Sequence, residues 1–206
     1  MAHSYHTVYL ASASPRRREL LKQIGVRFEV VLLRAHPSRS DVDETPHAGE
    51  DPRDYVLRLA STKAVAGNMA CRARRLPAYP VLAADTTVIL DGAIIGKPAD
   101  RAEAEATLAR LAGRRHEVLT AVAMAFDDEV EVKLSASSVE FAPLDAGAIK
   151  RYVACGESHD KAGAYAIQGR AAAFVSRLEG SYSGVMGLPL HETSQLLRKF
   201  GIEVLS

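Results

Sequence analysis

Asp85 stands where a carboxylate is expensive. Residues Val81-Leu82-Ala83-Ala84-Asp85-Thr86-Thr87-Val88-Ile89-Leu90 are apolar or small on both alternating faces around a short polar centre. That is the pattern of a strand covered on both sides. A charge placed there must be paired, bound to a metal or open to a cleft. Asp85 is therefore the leading candidate for a general base or a metal ligand, and the plain structural alternative is an internal salt bridge.

A second cluster, Ser12-Ala13-Ser14-Pro15-Arg16-Arg17-Arg18, reads as a turn into a helix with Ser14 at the N-cap and Pro15 at the first helical position. Free backbone N–H groups, hydroxyls and guanidiniums converge there, which is an anion site suited to phosphate. Cations in a first turn oppose the helix dipole, so a solvated capped helix is the poorer account. Gly92-Ala93-Ile94-Ile95-Gly96-Lys97-Pro98 is one residue short of a P-loop, and Pro98 replaces its magnesium-binding hydroxyl. Lys97 remains available to a phosphate as a point charge, with a solvated turn lysine as the equal alternative. Asp41-Val42-Asp43-Glu44 offers three carboxylates for a hard cation such as magnesium or manganese, or a merely solvated acidic loop. Tyr55, Leu59 and Lys63 share one helical face, so Lys63 snorkels or points into a cleft. In Asp160-Lys161-Ala162-Gly163-Ala164-Tyr165-Ala166-Ile167-Gln168-Gly169, the amide of Gln168 could read a base edge. No hydrolase elbow, Cys-His pair or dinucleotide fingerprint occurs.

The elements that must position these groups alternate along the chain. Strands are predicted at 7–11, 28–33, 81–90, 93–95, 118–126, 130–141 and 172–178, with a terminal strand after residue 200. Helices are predicted from Pro15 to Gly25, from Pro52 to about residue 70, and at 101–111, 145–154 and 190–200. Loops fill 37–51 and 180–189. Hairpins mixed with crossovers argue for an α/β fold with a mixed sheet.

Composition narrows the class. The 206 residues suffice for one large domain or two small lobes sharing a cleft. Apolar residues make up 48% and the formal charge is +1, which disfavours disorder and a basic nucleic-acid coat. Aromatics are 6% with no Trp, so no stacking platform for single strands is present. Two cysteines suit a reducing compartment, the first ten residues lack a signal-peptide pattern, and no apolar run approaches a bilayer span. The expectation is a soluble cytoplasmic protein with no nucleic-acid or membrane partner.

Six stretches in order resemble the Maf family of nucleoside triphosphate pyrophosphatases: residues 10–21, Asp41 to Glu44, Ala84-Asp85-Thr86, Gly96-Lys97-Pro98, 160–169 and 180–189. The resemblance implies a single domain over 1–206 with two lobes, a central nucleotide-binding cleft and a mixed sheet. It also implies hydrolysis of a nucleoside triphosphate to monophosphate and pyrophosphate with Mg2+ or Mn2+, and a homodimer. Asp85 and Lys97 would be catalytic, and Glu44 and Asp85 would hold the cation. Ser12, Ser14, Arg16, Arg17, Lys63, Thr86, Lys161 and Gln168 would bind substrate. Arg16, Thr86 and Gln168 match the dTTP/UTP branch, whereas the 7-methyl-GTP branch tends to carry Trp after Ser-Pro, Gln after the catalytic Asp and Glu for Gln. Ser183-Gly184 departs from the family, which more often has Asn or another side chain before the Val. The rivals are a non-catalytic nucleotide-binding regulator of septum formation, which would not need Asp85, and the same reaction on 7-methyl-GTP.

Overall fold

A computed structural model describes residues 7–36 and 39–204. The chain runs β1 (Thr7–Leu10), α1 (Pro15–Gln23), β2 (Arg27–Val30), β3 (Ala35–His36), β4 (Arg39–Ser40), α2 (Pro52–Ala73), β5 (Val81–Leu90) and β6 (Ala93–Ile95). It continues with α3 (Arg101–Leu111), β7 (Arg115–Phe126), β8 (Glu129–Phe141), α4 (Ala146–Ala154), β9 (Val175–Glu179), α5 (Tyr182–Met186) and α6 (Leu190–Lys199). The long hairpin, the apolar strand and most helices stand where the sequence places them. Helix starts follow capping chemistry: Asp51, Asp100 and Asp145 each accept a first-turn backbone N–H.

Strand order in the large sheet is β2-β1-β5-β7-β8-β9, with β6 also paired to β5. β1 is parallel to β2 and to β5; the other pairings are antiparallel, so the sheet is mixed. β7 follows β5 from Val81 to Ile89 along one edge. Along the other edge β1 reaches only Val81 and Leu82, and β6 takes over at Val88. Residues 83–87 therefore have no strand beside them on that edge. Within β5 only Asp85 and Thr86 escape full burial, at the middle of this gap.

Side chains of β5 alternate between two faces. On one face Val81, Ala83 and Ile89 pack under α2 through Val56, Ala60 and Ala64. Gly67 makes that approach close, since a Cβ there would lie 2.7 Å from Val81 Cγ1. On the other face the core is split. Leu82 and Ala84 join α1 and α6 through Leu21 and Leu197, whereas Val88 and Leu90 join α3 and α4 through Leu108 and Val153. Between these clusters lies the cross-strand pair Thr86–Thr120. Polar side chains at that point separate the two apolar clusters on this face.

Four expectations are corrected. Residues 170–174 form a 3-10 turn before β9, because Ala171 and Phe174 turn into the α3–α4 core. The 180–189 loop holds a short helix, α5, capped by the Ser181 hydroxyl and closed by Gly187. The loop at 37–51 is preceded and entered by the two-residue strands β3 and β4, with Pro37 and Ser38 outside the described residues. No terminal strand forms over 201–204; Ile202 instead packs into the α1–α6 cluster. Residues 1–6, on which the signal-peptide reading partly rests, also lie outside the described residues. No helix among the described residues is long and apolar enough to cross a membrane.

His116 is buried in the aromatic part of the α3–α4 core, edge-on to Phe141 and Tyr165, with Nε2 2.9 Å from the Tyr165 hydroxyl. Burial pushes its pKa from 6.5 down to about 4. The unfolded chain therefore binds an extra proton between those values, and stability falls as pH drops through that window. The loss is about 3 kcal/mol when complete. His116→Phe should be less stable at pH 7, because it orphans the Tyr165 hydroxyl, yet lose less stability between pH 7 and pH 4. Urea melts at both pH values check the slope.

Candidate active site

A cavity of about 740 Å³ opens at the gap beside β5. Ser12, Ser14, Arg16 and Arg17 reach it from the β1–α1 turn, Lys63 from α2, and Asp85 and Thr86 from β5. Glu44 comes from the acidic loop, Lys97 from the segment after β6, and Lys161 and Gln168 from the glycine-punctuated segment. Asp85 and Thr86 point to opposite faces of the sheet, and the missing neighbour strand lets both line one space.

The centre is a three-group contact. Lys63 Nζ lies 2.6 Å from Asp85 Oδ1 and 2.7 Å from Glu44 Oε1. The Asp85 and Lys63 side chains are only 13% and 14% exposed, so this pair is better insulated from solvent than a surface pair. Asp85 is thus salt-bridged, and it also faces the cavity. Its second oxygen has no hydrogen-bond partner among the described residues. Burial alone would raise the Glu44 pKa, but Lys63, Lys97 and Arg17 together hold it below the usual carboxylate range. Tyr55, one helical face from Lys63, donates its hydroxyl to the Glu44 carbonyl at 3.0 Å and so ties the acidic loop to α2. Its own pKa is pushed up to about 12 by burial and then by Asp85 and Glu44.

Of the three carboxylates in the acidic loop, only Glu44 serves the cavity. Asp41 accepts from the Arg34 backbone and guanidinium, and Asp43 accepts from Thr45 N–H. Both carboxylates are thus consumed in shaping the loop.

The arginine cluster is likewise divided. Ser14 occupies the N-cap of α1, but its side chain makes no capping bond, which leaves first-turn amides open beside the cavity. Arg17 donates to the Gly187 carbonyl at 2.8 Å, to Ser12 Oγ at 3.3 Å and to Thr86 Oγ1 at 3.4 Å. Arg16 donates to the Met186 carbonyl at 3.3 Å. Burial lowers the pKa of both, yet a guanidinium stays charged at any relevant pH. Arg18 folds back onto the Ala13 carbonyl and is not part of the lining. The end of α5 is thus the part that sequence reasoning missed: its last carbonyls aim two guanidiniums. The signal was present in Ser181, three residues before Gly184, and in Gly187 as a helix stop. Ser183 Oγ accepts from Leu190 N–H at 3.0 Å, which joins α5 to α6.

Lys97 and Lys161 are brought together by the backbone, since Gly163 N–H donates to the Gly96 carbonyl at 3.1 Å. Lys161 donates to the His159 carbonyl, and burial followed by Arg16 lowers its pKa. The Gln168 amide is exposed and has no hydrogen-bond partner among the described residues.

Residues 7–200 match the family described as Maf-like protein. The chain belongs to the Maf family. It is 58% identical over 199 residues to the dTTP/UTP pyrophosphatase of Burkholderia pseudomallei, spanning 96% of this chain and 95% of that protein. It is 55% identical over 198 residues to the dTTP/UTP pyrophosphatase of Nitrosomonas europaea, spanning 96% of each. The dTTP/UTP pyrophosphatase of Dechloromonas aromatica is 52% identical over 199 residues. The Maf resemblance carried by the six stretches is therefore borne out over nearly the whole chain, and so is the mixed α/β fold.

The donors in this Maf cleft suit a hard divalent cation only in company. Glu44 and Asp85 both face the same ammonium, so both can face one cation. No group of three or more His, Cys, Asp or Glu able to hold a metal occurs among the described residues. Two carboxylates completed by phosphate oxygens and water is the donor set that magnesium commonly takes.

Gly163 tests the backbone clasp. It has φ +69°, and a Cβ would lie 2.9 Å from Val88 Cγ2 in the core. Gly163→Ala should lose about 1–3 kcal/mol in urea unfolding. It should also weaken pyrophosphate binding in calorimetry, because Lys97 and Lys161 are set by the same contact.

Proposed function

We propose that this Maf-family chain hydrolyses dTTP and UTP to the nucleoside monophosphate and pyrophosphate. The observation that carries the reading is the convergence on one cavity of a carboxylate pair held by Lys63 and a surrounding set of arginines and lysines. Such a site takes a polyanion and offers it a base. The names of relatives at 52–58% identity supply the substrates.

The triphosphate lies against the α1 amides, with Ser12, Ser14 and Arg17 at one end and Lys97 and Lys161 at the other. Asp85 accepts a proton from water as that water attacks the α-phosphorus. The bond from the α-phosphorus to its bridging oxygen breaks, and pyrophosphate leaves with the bond electrons. Lys97 balances the charge that grows on the leaving group. Glu44 and Asp85 would hold Mg2+ or Mn2+ with the phosphates, and that cation supplies further charge neutralisation on the leaving oxygens. Lys63 compensates the two carboxylates while the cleft is empty and has a third N–H for a phosphate oxygen when it is filled. Thr86, Arg16 and the free amide of Gln168 face the pyrimidine, whose carbonyls and N–H an amide can pair at once.

Asp85→Asn keeps the shape and removes the base. Turnover of dTTP should fall by about 10²–10⁴-fold, with the melting temperature within a few degrees of the parent. Products separated by chromatography report the chemistry: monophosphate and pyrophosphate from dTTP and UTP support the reading, and diphosphate with inorganic phosphate would overturn it. Substantial turnover by the Asp85→Asn protein would remove the role assigned to Asp85. Lys97→Ala should lower kcat more than it raises KM, since its charge is needed most as pyrophosphate departs.

A further inference from the structure

We propose that Arg58 is a positioning residue for the cation site: it clamps the loop from Asp43 to Glu50 onto α2 and so sets the Glu44 carboxylate beside Asp85. The inference rests on Glu44 as a cation ligand and deepens that reading.

The backbone after Glu44 can be accounted for group by group. In the peptide joining Glu44 to Thr45, the carbonyl accepts from the Tyr55 hydroxyl at 3.0 Å and the N–H donates to Asp43 Oδ1 at 2.9 Å. In the next peptide the Thr45 carbonyl accepts from Arg58 Nη2 at 3.2 Å, and Pro46 has no N–H to satisfy. Both peptides are thus held at every polar group they possess.

Arg58 also closes the far end of the loop. Its Nε lies 2.6 Å from Glu50 Oε1 and its Nη2 2.7 Å from Glu50 Oε2, a two-point pairing. Nη2 carries two hydrogens, one for Glu50 and one for the Thr45 carbonyl. His47 N–H donates to Glu50 Oε2 at 3.0 Å, and Glu50 N–H donates to the His47 carbonyl at 3.1 Å. The Arg58 guanidinium lies 5.5 Å from the centre of the Tyr55 ring, its neighbour three residues earlier on α2. The Glu50 side chain is only 8% exposed, so water competes little for this pairing.

Arg58, Thr45 and Glu50 do not line the cavity, whereas Glu44 and Tyr55 do. The network therefore acts on the site through those two. Glu44 has a half-exposed side chain, and a carboxylate so placed owes its position to its backbone. The helix that holds this backbone also carries Lys63, whose ammonium Glu44 shares with Asp85. One rigid element thus sets the distance between the two carboxylates and the cation between them. Such precision matters, since a displacement of about 1 Å in a positioned group can cost about 10²-fold in rate.

The test is calorimetric binding of the α,β-methylene analogue of dTTP with and without Mn2+, in wild type, Arg58→Ala, Tyr55→Phe and Glu44→Gln. Without metal the analogue meets the arginines and lysines, so Arg58→Ala should bind it within about twofold of wild type. The gain in affinity that Mn2+ brings should fall about tenfold in Arg58→Ala, as for other groups that orient a metal ligand. Tyr55→Phe removes one hydroxyl and should reduce the gain in the same direction, which guards against an Ala variant that fails to fold. Glu44→Gln should lose most of the gain, and adding Arg58→Ala to it should change the remainder by less than about twofold, because the two act as one unit. Equal losses with and without metal in Arg58→Ala would mean that Arg58 serves the loop's stability alone, and would overturn the inference. So would an equal loss of the gain in the wild-type and Glu44→Gln backgrounds. A gain that survives Glu44→Gln would remove Glu44 as a ligand and the inference with it. A gain lost in Glu44→Gln but kept in Arg58→Ala would remove the inference and leave the reading of Glu44 standing.

Discussion

The structure turns on one expensive charge. Asp85 lies at the centre of a strand that is apolar on both faces, where an unpaired carboxylate would cost several kcal/mol. Two features make it tolerable. Lys63 reaches down from α2 and places its ammonium 2.6 Å away, and the sheet leaves β5 without a neighbour at 83–87. Neither feature alone would give this arrangement. A salt bridge in a closed sheet would bury the carboxylate away from the cavity, and an open gap without Lys63 would leave two carboxylates facing each other. The cavity, the exposure of Asp85 and the separation of two apolar clusters on one face of the sheet all centre on this interruption in strand pairing.

Around that centre, groups far apart in sequence are held by backbone rather than by one another. Arg16 and Arg17 are aimed by the Met186 and Gly187 carbonyls, and Lys97 and Lys161 are set side by side by the bond from Gly163 to Gly96. Backbone carbonyls are useful for this purpose. They are neutral, so they direct a guanidinium without cancelling its charge, and the cation stays available to phosphate. Glu44 is the exception: it is 53% exposed, on a loop, and fastened through Tyr55 and Lys63. It is therefore the partner with most freedom to adjust to what enters the cleft, whereas Asp85 has almost none.

Much of this was legible in sequence. Alternation, capping residues and Asp-Gly turns locate the strands and helices, because those signals depend on neighbours within a few residues. The cost of burying a charge marks Asp85 before any fold is known. A proline after a serine marks the start of the helix beside the cavity, since its meaning is local as well. Even the rejection of a P-loop at Gly92–Lys97 needs nothing beyond spacing and one proline.

Other facts were decided only by the tertiary structure. The pattern of Asp41, Asp43 and Glu44 is symmetrical on paper, and only the position of Arg34 and the Thr45 turn removes the first two from the cavity. The consecutive arginines look equivalent until α5 supplies carbonyls to two of them. Ala172 to Phe174 reads as strand by pattern, but the α3–α4 core draws this segment into a tighter turn. Thr120 carries no sequence signal at all: a threonine in an apolar strand is ordinary, and only the fold sets a carbonyl of the 180–189 segment against it. Local signals are written in the order of the residues. Which of several like groups receives a partner depends on contacts between segments that the chain brings together only when it folds.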